Sequence, residues 1–137
     1  MKIHHFDSSV VIPCIGKLLD APLRKQEDEK MRTQAAAFFK AHRGPVKISV
    51  ATYAEVIRHF PGDEKVKNWL GEKFPAPMQI TQKNARRWAR IQNRSKRVMG
   101  DNDAWNAAIA IDDNAVLVGC DHTFENRPGL DYLDFTK

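Results

Sequence analysis

Residues 103–121, DAWNAAIAIDDNAVLVGCD, join an alanine-rich segment with helical spacing to a short apolar run. Residues 115–118 in that run carry no charge, which is typical of a strand buried in a parallel sheet. Asp121 follows the strand, and Asp103 lies at the start of the preceding helix. In a parallel sheet, an acid that follows a strand lies at the carboxyl edge, where α/β proteins bind ligands.

The rest of the chain continues this alternation of helices and short apolar runs. The predicted strands are residues 2–6, 46–50, 115–118 and 130–135, and the predicted helices are residues 24–42, 52–60, 63–74, 81–98 and 103–112. Residues 8–19 have a mixed pattern because Pro13 and Gly16 interrupt it. This order predicts an α/β domain with a mainly parallel sheet, and nothing in residues 1–137 marks a second domain.

Composition narrows the class of protein further. Of the 137 residues, 42% are hydrophobic and 28% are charged, which argues against a disordered chain. The net charge of +5 favours a polyanionic partner. Cys14 and Cys120 lack CxxC spacing, which argues against a disulfide framework or a cysteine zinc site. No apolar run approaches the roughly 20 residues that span a bilayer, and the first residues lack a signal-peptide core. We therefore expect a cytoplasmic protein.

Four acids from distant segments fall where such a sheet brings them together. Asp7 ends the first strand and Asp121 follows the third, while Glu55 lies in the first turn of one predicted helix and Asp103 begins another. Clustered carboxylates repel each other unless a cation neutralises them, and Mg²⁺ and Mn²⁺ prefer oxygen ligands. Such ions support hydrolysis of phosphodiester bonds, which suits a basic protein.

Each acid also has an ordinary structural interpretation. Asp7 can open a turn, and Thr52 can be the N-cap of a capping box that includes Glu55. Asp121 can be a turn acid, and for Asp101 we prefer the role of N-cap. No acid indicates a site by itself; only their order and context do so.

That order resembles the PIN-domain family, and in particular its VapC-like toxins. Four short motifs carry the resemblance: Asp7-Ser8-Ser9, Thr52-x-x-Glu55, Asn102-Asp103-Ala104-Trp105-Asn106-Ala107-Ala108-Ile109-Ala110 and Leu117-Val118-Gly119-Cys120-Asp121-His122-Thr123-Phe124. They follow the family's order and spacing over nearly the whole chain. Gly119 departs from the usual Thr or Ser, and Asn106 replaces a usual apolar residue.

The resemblance implies a PIN-like three-layer α/β/α fold and a Mg²⁺- or Mn²⁺-dependent endoribonuclease that leaves a 3′-hydroxyl and a 5′-phosphate. Asp7, Glu55, Asp103 and Asp121 would be the catalytic residues and would hold the metal directly or through water. Ser8 would orient Asp7 or contact a phosphate.

The resemblance also implies partners. It predicts a homodimer and an antitoxin peptide that sends a basic side chain into the acidic pocket. One apolar set is either the docking surface for that peptide or part of the core: Val10, Val11, Ile12, Ile15, Leu18 and Leu19.

Residues 83–97 carry seven cations on one predicted helix. Four arginines follow one another at helical spacing: Arg86, Arg90, Arg94 and Arg97. Arg87 lies beside them. We assign these five side chains to RNA binding through the phosphate backbone; the alternative is a solvated helix face. Ala85, Trp88 and Ile91 are predicted to face the core, and Trp69 is assigned to the core as well.

Other functional classes fit less well. A non-catalytic PIN-like module that binds RNA or a protein is the main alternative, and Gly119 is its best support. A receiver-like signalling domain needs adjacent acids after its first strand, but Asp7 stands alone. The chain has no Gly-rich phosphate loop and no GxSxG motif. His4, His5 and His122 match no zinc motif, so we favour ordinary structural roles for them. The alternative is that His5 and His122 support Asp7 and Asp121, which lie near them in the sequence.

Overall fold

The computed structural model describes residues 2–23 and 28–137. In these parts of the chain the strands are β1 (His4–Phe6), β2 (Val46–Lys47), β3 (Val116–Gly119) and β4 (Asp131–Asp134). The helices are α1 (Ser8–Leu18), α2 (Glu29–Ala41), α3 (Val50–His59), α4 (Glu64–Lys73), α5 (Gln82–Arg94) and α6 (Asp101–Asp112), and a 3₁₀ turn spans His122–Phe124. The start of the helix predicted from residue 24 lies outside the described residues.

The four strands form one sheet in the order β2-β1-β3-β4, and all three neighbouring pairs are parallel. His4 of β1 lies opposite Val46 of β2 and Val116 of β3. After β1 the chain therefore forms β2 on one side of β1 and later forms β3 on the other side. Asp7 and Asp121, which follow these two strands, lie on either side of the switch point where ligands bind in open α/β sheets.

Alternate side chains of β3 enter two different cores. Val116 and Val118 pack with the side chains of α1 to α4, whereas Leu117 packs with α6, Met99 and Phe124. Side chains of a strand point alternately to opposite faces, so helices cover both faces of the sheet. The predicted three-layer α/β/α fold is confirmed, and the sheet is wholly parallel in the described residues.

The segment with the mixed pattern, residues 8–19, forms α1. Pro13 removes one backbone donor, but Val10, Val11 and Ile15 are buried, and their packing outweighs the weak helical propensity. These three members of the apolar set belong to the core. Ile12, Leu18 and Leu19 are only partly buried.

The chain turns from β2 into α3 earlier than predicted. Ser49 is the N-cap, and its Oγ accepts a hydrogen bond from the Thr52 N–H at 3.1 Å. The capping box with Thr52 as N-cap is therefore wrong, and Glu55 lies in the second turn of α3, not the first. β2 is correspondingly short because Ile48 and Ser49 already belong to the connection.

The long basic helix ends sooner than predicted. The Gln92 side chain donates to the Met99 carbonyl at 2.9 Å and accepts from the Met99 N–H at 3.2 Å, so it supports a loop after Arg94. Arg97 lies in this loop, and its predicted alignment with the arginines of α5 is wrong. The inward face of α5 includes the buried Asn84 together with Trp88 and Ile91, whereas Ala85 is exposed, against prediction.

The helix that carries Asp103 begins at Asp101, two residues earlier than predicted. Its N-cap is Gly100, which has no side chain to accept a hydrogen bond. Asp101 is therefore not the N-cap. Asp101 and Asp103 both lie in the first turn, where carboxylates interact favourably with the helix dipole.

None of the helices in residues 2–23 and 28–137 is both long enough and apolar enough to cross a membrane.

Candidate metal-binding site

Asp7 is the most constrained of the four predicted acids. It is 2% exposed and is the N-cap of α1. Its Oδ2 accepts a hydrogen bond from the Ser9 N–H at 3.1 Å, and its Oδ1 accepts one from Asn106 Nδ2 at 2.9 Å. The predicted turn-opening role of Asp7 is thus present, and the cap fixes the direction of its carboxylate.

Asn106 links three elements around that carboxylate. Its Nδ2 also donates to Thr52 Oγ1 at 3.0 Å, and its Oδ1 accepts from Ser49 Oγ at 2.5 Å. All of these groups are buried. The departure from the usual apolar residue thus creates a buried polar network between α6 and the start of α3. Sequence reasoning noticed Asn106 but found no role for it, since its partners lie more than 50 positions away.

Gly119 provides the space that Ser9 occupies. A Cβ at position 119 would lie 2.9 Å from Ser9 Oγ and 3.3 Å from the Asp7 Cβ. Ser9 Oγ accepts a hydrogen bond from the Cys120 N–H at 3.1 Å. A hydroxyl thus lies beside Asp7 despite Gly119, supplied by α1 and not by β3. The motif Asp7-Ser8-Ser9 includes Ser9 but predicts no separate role for its hydroxyl.

Glu55 has an unsatisfied, buried oxygen. Its Oε1 has no hydrogen-bond partner among the described residues. Burial raises the pKa of the Glu55 carboxyl and Asp7 raises it further, while a hydrogen bond from Ser8 and the charge of Arg58 lower it. Ser8 therefore acts on Glu55. Its predicted contacts with Asp7 or a phosphate remain predictions.

Asp103 responds to all three other acids. Burial raises the pKa of its carboxyl, and the charges of Asp7, Asp121 and Glu55 raise it further, to about 7. Like charges disfavour ionisation of a carboxyl group that lies near them. The four predicted acids therefore share one electrostatic environment at the carboxyl edge of the sheet.

Asp121 is the most exposed of the four. Its Oδ1 accepts a hydrogen bond from the Thr123 N–H at 2.9 Å, which makes it the N-cap of the 3₁₀ turn. The Tyr132 hydroxyl donates to its backbone carbonyl at 3.0 Å. The predicted turn role of Asp121 is thus present, and the cap fixes the orientation of its carboxylate.

A depression lined by Glu55 and residues 100–103 opens at this edge, and we name it the acidic depression. Within the described residues, no three His, Cys, Asp or Glu side chains lie close enough together to hold one metal ion. The four acids surround a common region without converging on one point. Their oxygen donors and the orphaned Glu55 Oε1 nevertheless suit a hard cation that keeps some of its water.

The predicted RNA-binding arginines have different surroundings. Arg86, Arg90 and Arg94 are exposed on α5. Arg87 Nε lies 3.0 Å from Asp112 Oδ1, in an ion pair that ties α5 to α6. Arg97 donates to the Glu125 carbonyl at 2.9 Å from the loop after α5.

The histidines take part in other contacts. His5 Nε2 lies 3.2 Å from Asp113 Oδ2, and burial lowers the pKa of its imidazole. His122 Nδ1 lies 3.0 Å from Glu125 Oε1. Among the contacts described, neither ring reaches the acids of the candidate site.

The tryptophans pack against other aromatic rings. Trp69 packs against Phe39 and Phe74, as a core residue does. Trp88 of α5 stacks on Trp105 of α6, with ring centroids 5.1 Å apart. This stack joins the two helices beside the start of α6.

Comparison by sequence matches the chain to no protein-family model and to no curated protein. Comparison by structure finds close likenesses. A toxin–antitoxin complex from Klebsiella pneumoniae has a chain that is 19% identical, with a TM-score of 0.70 over 96% of this chain and 97% of that one. FitAcB from Neisseria gonorrhoeae gives 18% identity and a TM-score of 0.70 over 97% and 98%.

VapBC-1 from nontypeable Haemophilus influenzae gives 21% identity and a TM-score of 0.65 over 98% of this chain and 99% of that one. Identities this low establish the fold and not the activity. The likeness extends over nearly the full length of both chains, and the all-parallel sheet between two helical layers agrees with it. The chain therefore has the PIN-like α/β/α fold found in VapBC toxin–antitoxin structures.

Proposed function

We propose that the protein is a Mg²⁺- or Mn²⁺-dependent endoribonuclease and that it acts as the toxin of a type II toxin–antitoxin pair. One observation carries the proposal. The pKa of Asp103 is raised to about 7, in part by the negative charges of Asp7, Glu55 and Asp121. Four carboxylates that destabilise each other at one sheet edge are a strong sign of a functional site, because a structural role does not require them to lie together.

The residues present fit a divalent metal ion. Asp7, Glu55, Asp103 and Asp121 offer oxygen donors, and Glu55 Oε1 is buried without a partner in the described chain. Because no three of these groups converge as they stand, we expect ligation to be partly through water. When bound, Mg²⁺ or Mn²⁺ would activate water for attack on phosphorus and neutralise charge on the phosphodiester.

The protein's own contribution is to orient these donors. Asn106 and the Ser9 N–H hold both oxygens of the Asp7 carboxylate, and Ser8 lowers the pKa of the Glu55 carboxyl. The cap at the 3₁₀ turn fixes Asp121. Arg86, Arg90 and Arg94 present exposed positive charge that would attract the RNA backbone, and Arg97 lies in the adjoining loop.

The test is cleavage of a labelled RNA pool with added Mg²⁺ or Mn²⁺, with EDTA as the metal-free control. We expect metal-dependent cutting that is lost in Asp7→Asn and in Asp103→Asn. Asp131→Asn is the matched control, because Asp131 is an exposed acid on β4 paired with Lys2. Undiminished cutting in Asp7→Asn, with its circular dichroism unchanged, would rule out the proposed site.

The absence of three converging donors among the described residues favours a second candidate, a PIN-like module that binds RNA or a protein without cutting. Gly119, which supports this candidate in the sequence, is now a weaker argument for it, because the Ser9 hydroxyl occupies the space beside Gly119. Calorimetric titration with Mn²⁺ separates the two candidates. A non-catalytic module would bind RNA or a protein but would neither cut RNA nor bind the ion.

An antitoxin partner is proposed because the structural likenesses include VapBC and other toxin–antitoxin complexes. A small groove lined by Ile12, Glu55, Arg58 and His59 offers an apolar contact next to a site acid. A peptide with a basic side chain could reach Glu55 from there. We expect the product of a small neighbouring reading frame to inhibit RNA cleavage at one equivalent, and Ile12→Asp to relieve that inhibition.

The remaining expectations concern assembly and location. We propose a homodimer, which light scattering behind a sizing column would test directly. We also propose that the protein acts in the cytoplasm, where RNA and a protein antitoxin are both present; fractionation of cells that express a tagged chain would test this.

A further inference from the structure

A cavity of about 210 Å³ lies between α5, α6 and the loops that carry Met99 and Arg127. Four arginines line it: Arg87, Arg90, Arg94 and Arg127. We name it the arginine cavity. It is separate from the acidic depression, whose lining is Glu55 and residues 100–103.

Arg127 is the unusual member of this set. It is only 9% exposed, and its guanidinium donates to the carbonyls of Thr123 and Arg97 and to the hydroxyl of Ser95. In the described chain no carboxylate pairs with it. Burial lowers the pKa of the Arg127 guanidinium, and the charge of Arg97 lowers it further. A buried cation without a counter-ion is costly, so an anion in the cavity would stabilise it.

Two of the other three arginines add further positive charge to the cavity. Arg87 is neutralised by Asp112 at 3.0 Å. Arg90 and Arg94 are exposed and form no ion pair within the described residues. Three guanidinium groups that have no carboxylate partner in the described chain therefore border one small space, and guanidinium groups bind phosphate through charge-assisted hydrogen bonds.

The rest of the lining is mostly apolar, with Ile91, Met99 and Ile111 among its members. Simple anions gain nothing from such a floor, whereas a nucleoside phosphate combines an anion with a flat, largely apolar base. The cavity is smaller than the roughly 300–1,000 Å³ of sites for drug-sized ligands, so it suits one such unit.

The position of the cavity favours RNA over a free nucleotide. Met99 lines the arginine cavity, and the next residue, Gly100, lines the acidic depression. The two spaces thus adjoin at the start of α6. A strand with one phosphodiester in the acidic depression would place a neighbouring nucleotide within reach of Arg94 and Arg127.

We propose that the arginine cavity binds one nucleotide of the RNA substrate, with its phosphate on Arg90, Arg94 and Arg127 and its base on the apolar floor. This inference rests on the proposed ribonuclease function. It adds Arg127, which lies outside the basic helix, to the substrate-binding residues, and it predicts a subsite beside the position of cleavage.

The test measures RNA binding without cleavage, by fluorescence anisotropy in EDTA with a labelled single strand of about eight nucleotides. We expect Arg90→Gln/Arg94→Gln to weaken binding at least tenfold, which corresponds to about 1.4 kcal/mol of binding free energy. Lys65→Gln/Lys83→Gln removes the same charge from exposed helix positions outside the cavity and should change binding about twofold at most. A comparable loss in this control would overturn the proposal.

The apolar floor has a separate test. Ile111→Ser should weaken binding of the oligonucleotide and leave binding of inorganic phosphate unchanged; an equal effect on both would contradict a base subsite. Arg127→Lys, which keeps the charge but loses the fork of donors, should also weaken binding, provided thermal unfolding shows a folded protein.

Competition distinguishes the occupants. Adenosine monophosphate that displaces the oligonucleotide at equal concentration would indicate a free-nucleotide site, and an acidic peptide that does so would indicate a protein partner; either result overturns the inference. Because binding is measured without metal, it is independent of catalysis. Binding that needs Arg90 and Arg94 in a protein without metal-dependent cutting would uphold the subsite and refute the ribonuclease.

Discussion

The Asp7 carboxylate is held directly by groups of α1 and α6, and indirectly by groups at the start of α3. Ser9 of α1 donates its N–H, and Asn106 of α6 donates its amide. Asn106 is itself held by Ser49 and Thr52 at the start of α3. A fully satisfied buried network of this kind fixes a single arrangement, and loss of one member leaves costly unpaired groups.

Asn106→Asp should damage both stability and activity. The new carboxylate has nearly the same shape but cannot donate to Asp7 Oδ1, and its charge would lie 2.9 Å from that oxygen. We expect a loss of about 2 kcal/mol in the free energy of unfolding by urea, with RNA cleavage reduced at least tenfold. Asn68→Asp on the exposed face of α4 is the control. Equal stability of the two variants would refute the network's role.

Gly119 and Ser9 should show coupled effects. Gly119→Ser places a Cβ 2.9 Å from Ser9 Oγ and 3.3 Å from the Asp7 Cβ, so it should destabilise the protein by about 1–3 kcal/mol. Removal of the hydroxyl in Ser9→Ala/Gly119→Ser should recover part of that loss. A double-mutant cycle by urea unfolding gives the coupling, which we expect to exceed about 0.5 kcal/mol. Additive effects would mean that the two positions do not compete for space.

Asp103 should make the metal-free protein less stable as pH rises. Its pKa is about 7 in the folded protein against 3.8 ordinarily, so between about pH 4 and 7 the folded state binds more protons than the unfolded state. Stability from this group is therefore lost across that window. In EDTA, Asp103→Asn should be more stable than wild type at pH 8, by about 1 kcal/mol after solvent screening, and not at pH 4.

Thermal unfolding at the two pH values measures this difference. Mg²⁺ should raise the melting temperature of the wild type more than that of Asp103→Asn, since ions that bind the folded state stabilise it. If Asp103→Asn is less stable than wild type at pH 8, the helix-dipole contribution of Asp103 outweighs its repulsion by the other acids.

Helices α5 and α6 are joined by a polar contact as well as by apolar packing. Asp112 is 3% exposed at its side chain and accepts hydrogen bonds from Arg87 Nε at 3.0 Å and Asn84 Nδ2 at 2.7 Å. The Trp88–Trp105 stack lies toward the other end of the contact. This pairing orients α5, and with it the exposed arginines, relative to the acids on α6.

Asp112→Ala should therefore destabilise the protein by about 1–3 kcal/mol, because it leaves the buried Asn84 Nδ2 and the partly exposed Arg87 Nε without their acceptor. Asp131→Ala removes an exposed pair with Lys2 and should cost less than about 1 kcal/mol. Urea unfolding of both variants measures the difference. Arg87→Gln should likewise lower stability more than RNA affinity, which would assign Arg87 to the structure and not to the substrate. The reverse order would confirm its predicted role in RNA binding.

The sequence was informative about these elements to different degrees. The alternation of apolar runs and helices was enough to predict the parallel sheet and the positions of Asp7, Asp103 and Asp121 at its edge. The start of α3 was open to prediction, because Ser49 is a favoured N-cap residue that accepts from the Thr52 N–H three positions on. The end of α5 was not, because Gln92 sets it through contacts with Met99 that form only in the folded chain. Nothing local to the sequence marks a hydrogen bond between Asn106 and Asp7, which are 99 positions apart.

Charge of opposite sign is segregated on adjoining surfaces of the chain. The net charge is +5, yet four acids gather at one sheet edge, and Arg86, Arg90 and Arg94 lie exposed on the helix that leads to it. A polyanion is thus attracted by the arginines and repelled by the acids until a cation neutralises them. Binding of RNA should depend on salt through the arginines and on divalent metal through the acids.

The salt dependence of RNA binding tests this arrangement as a whole. Each phosphate neutralised on a single strand contributes about 0.7 to the slope of log affinity against log salt. If Arg86, Arg90 and Arg94 each neutralise one phosphate, replacing all three by Gln should reduce the slope by about 2. Lys30, Lys40 and Lys65, which are exposed on α2 and α4, give the matched triple replacement. Equal reductions in both triple variants would mean that RNA responds to net charge and not to the α5 surface, whereas a reduction confined to the arginine variant places the polyanion beside the acids.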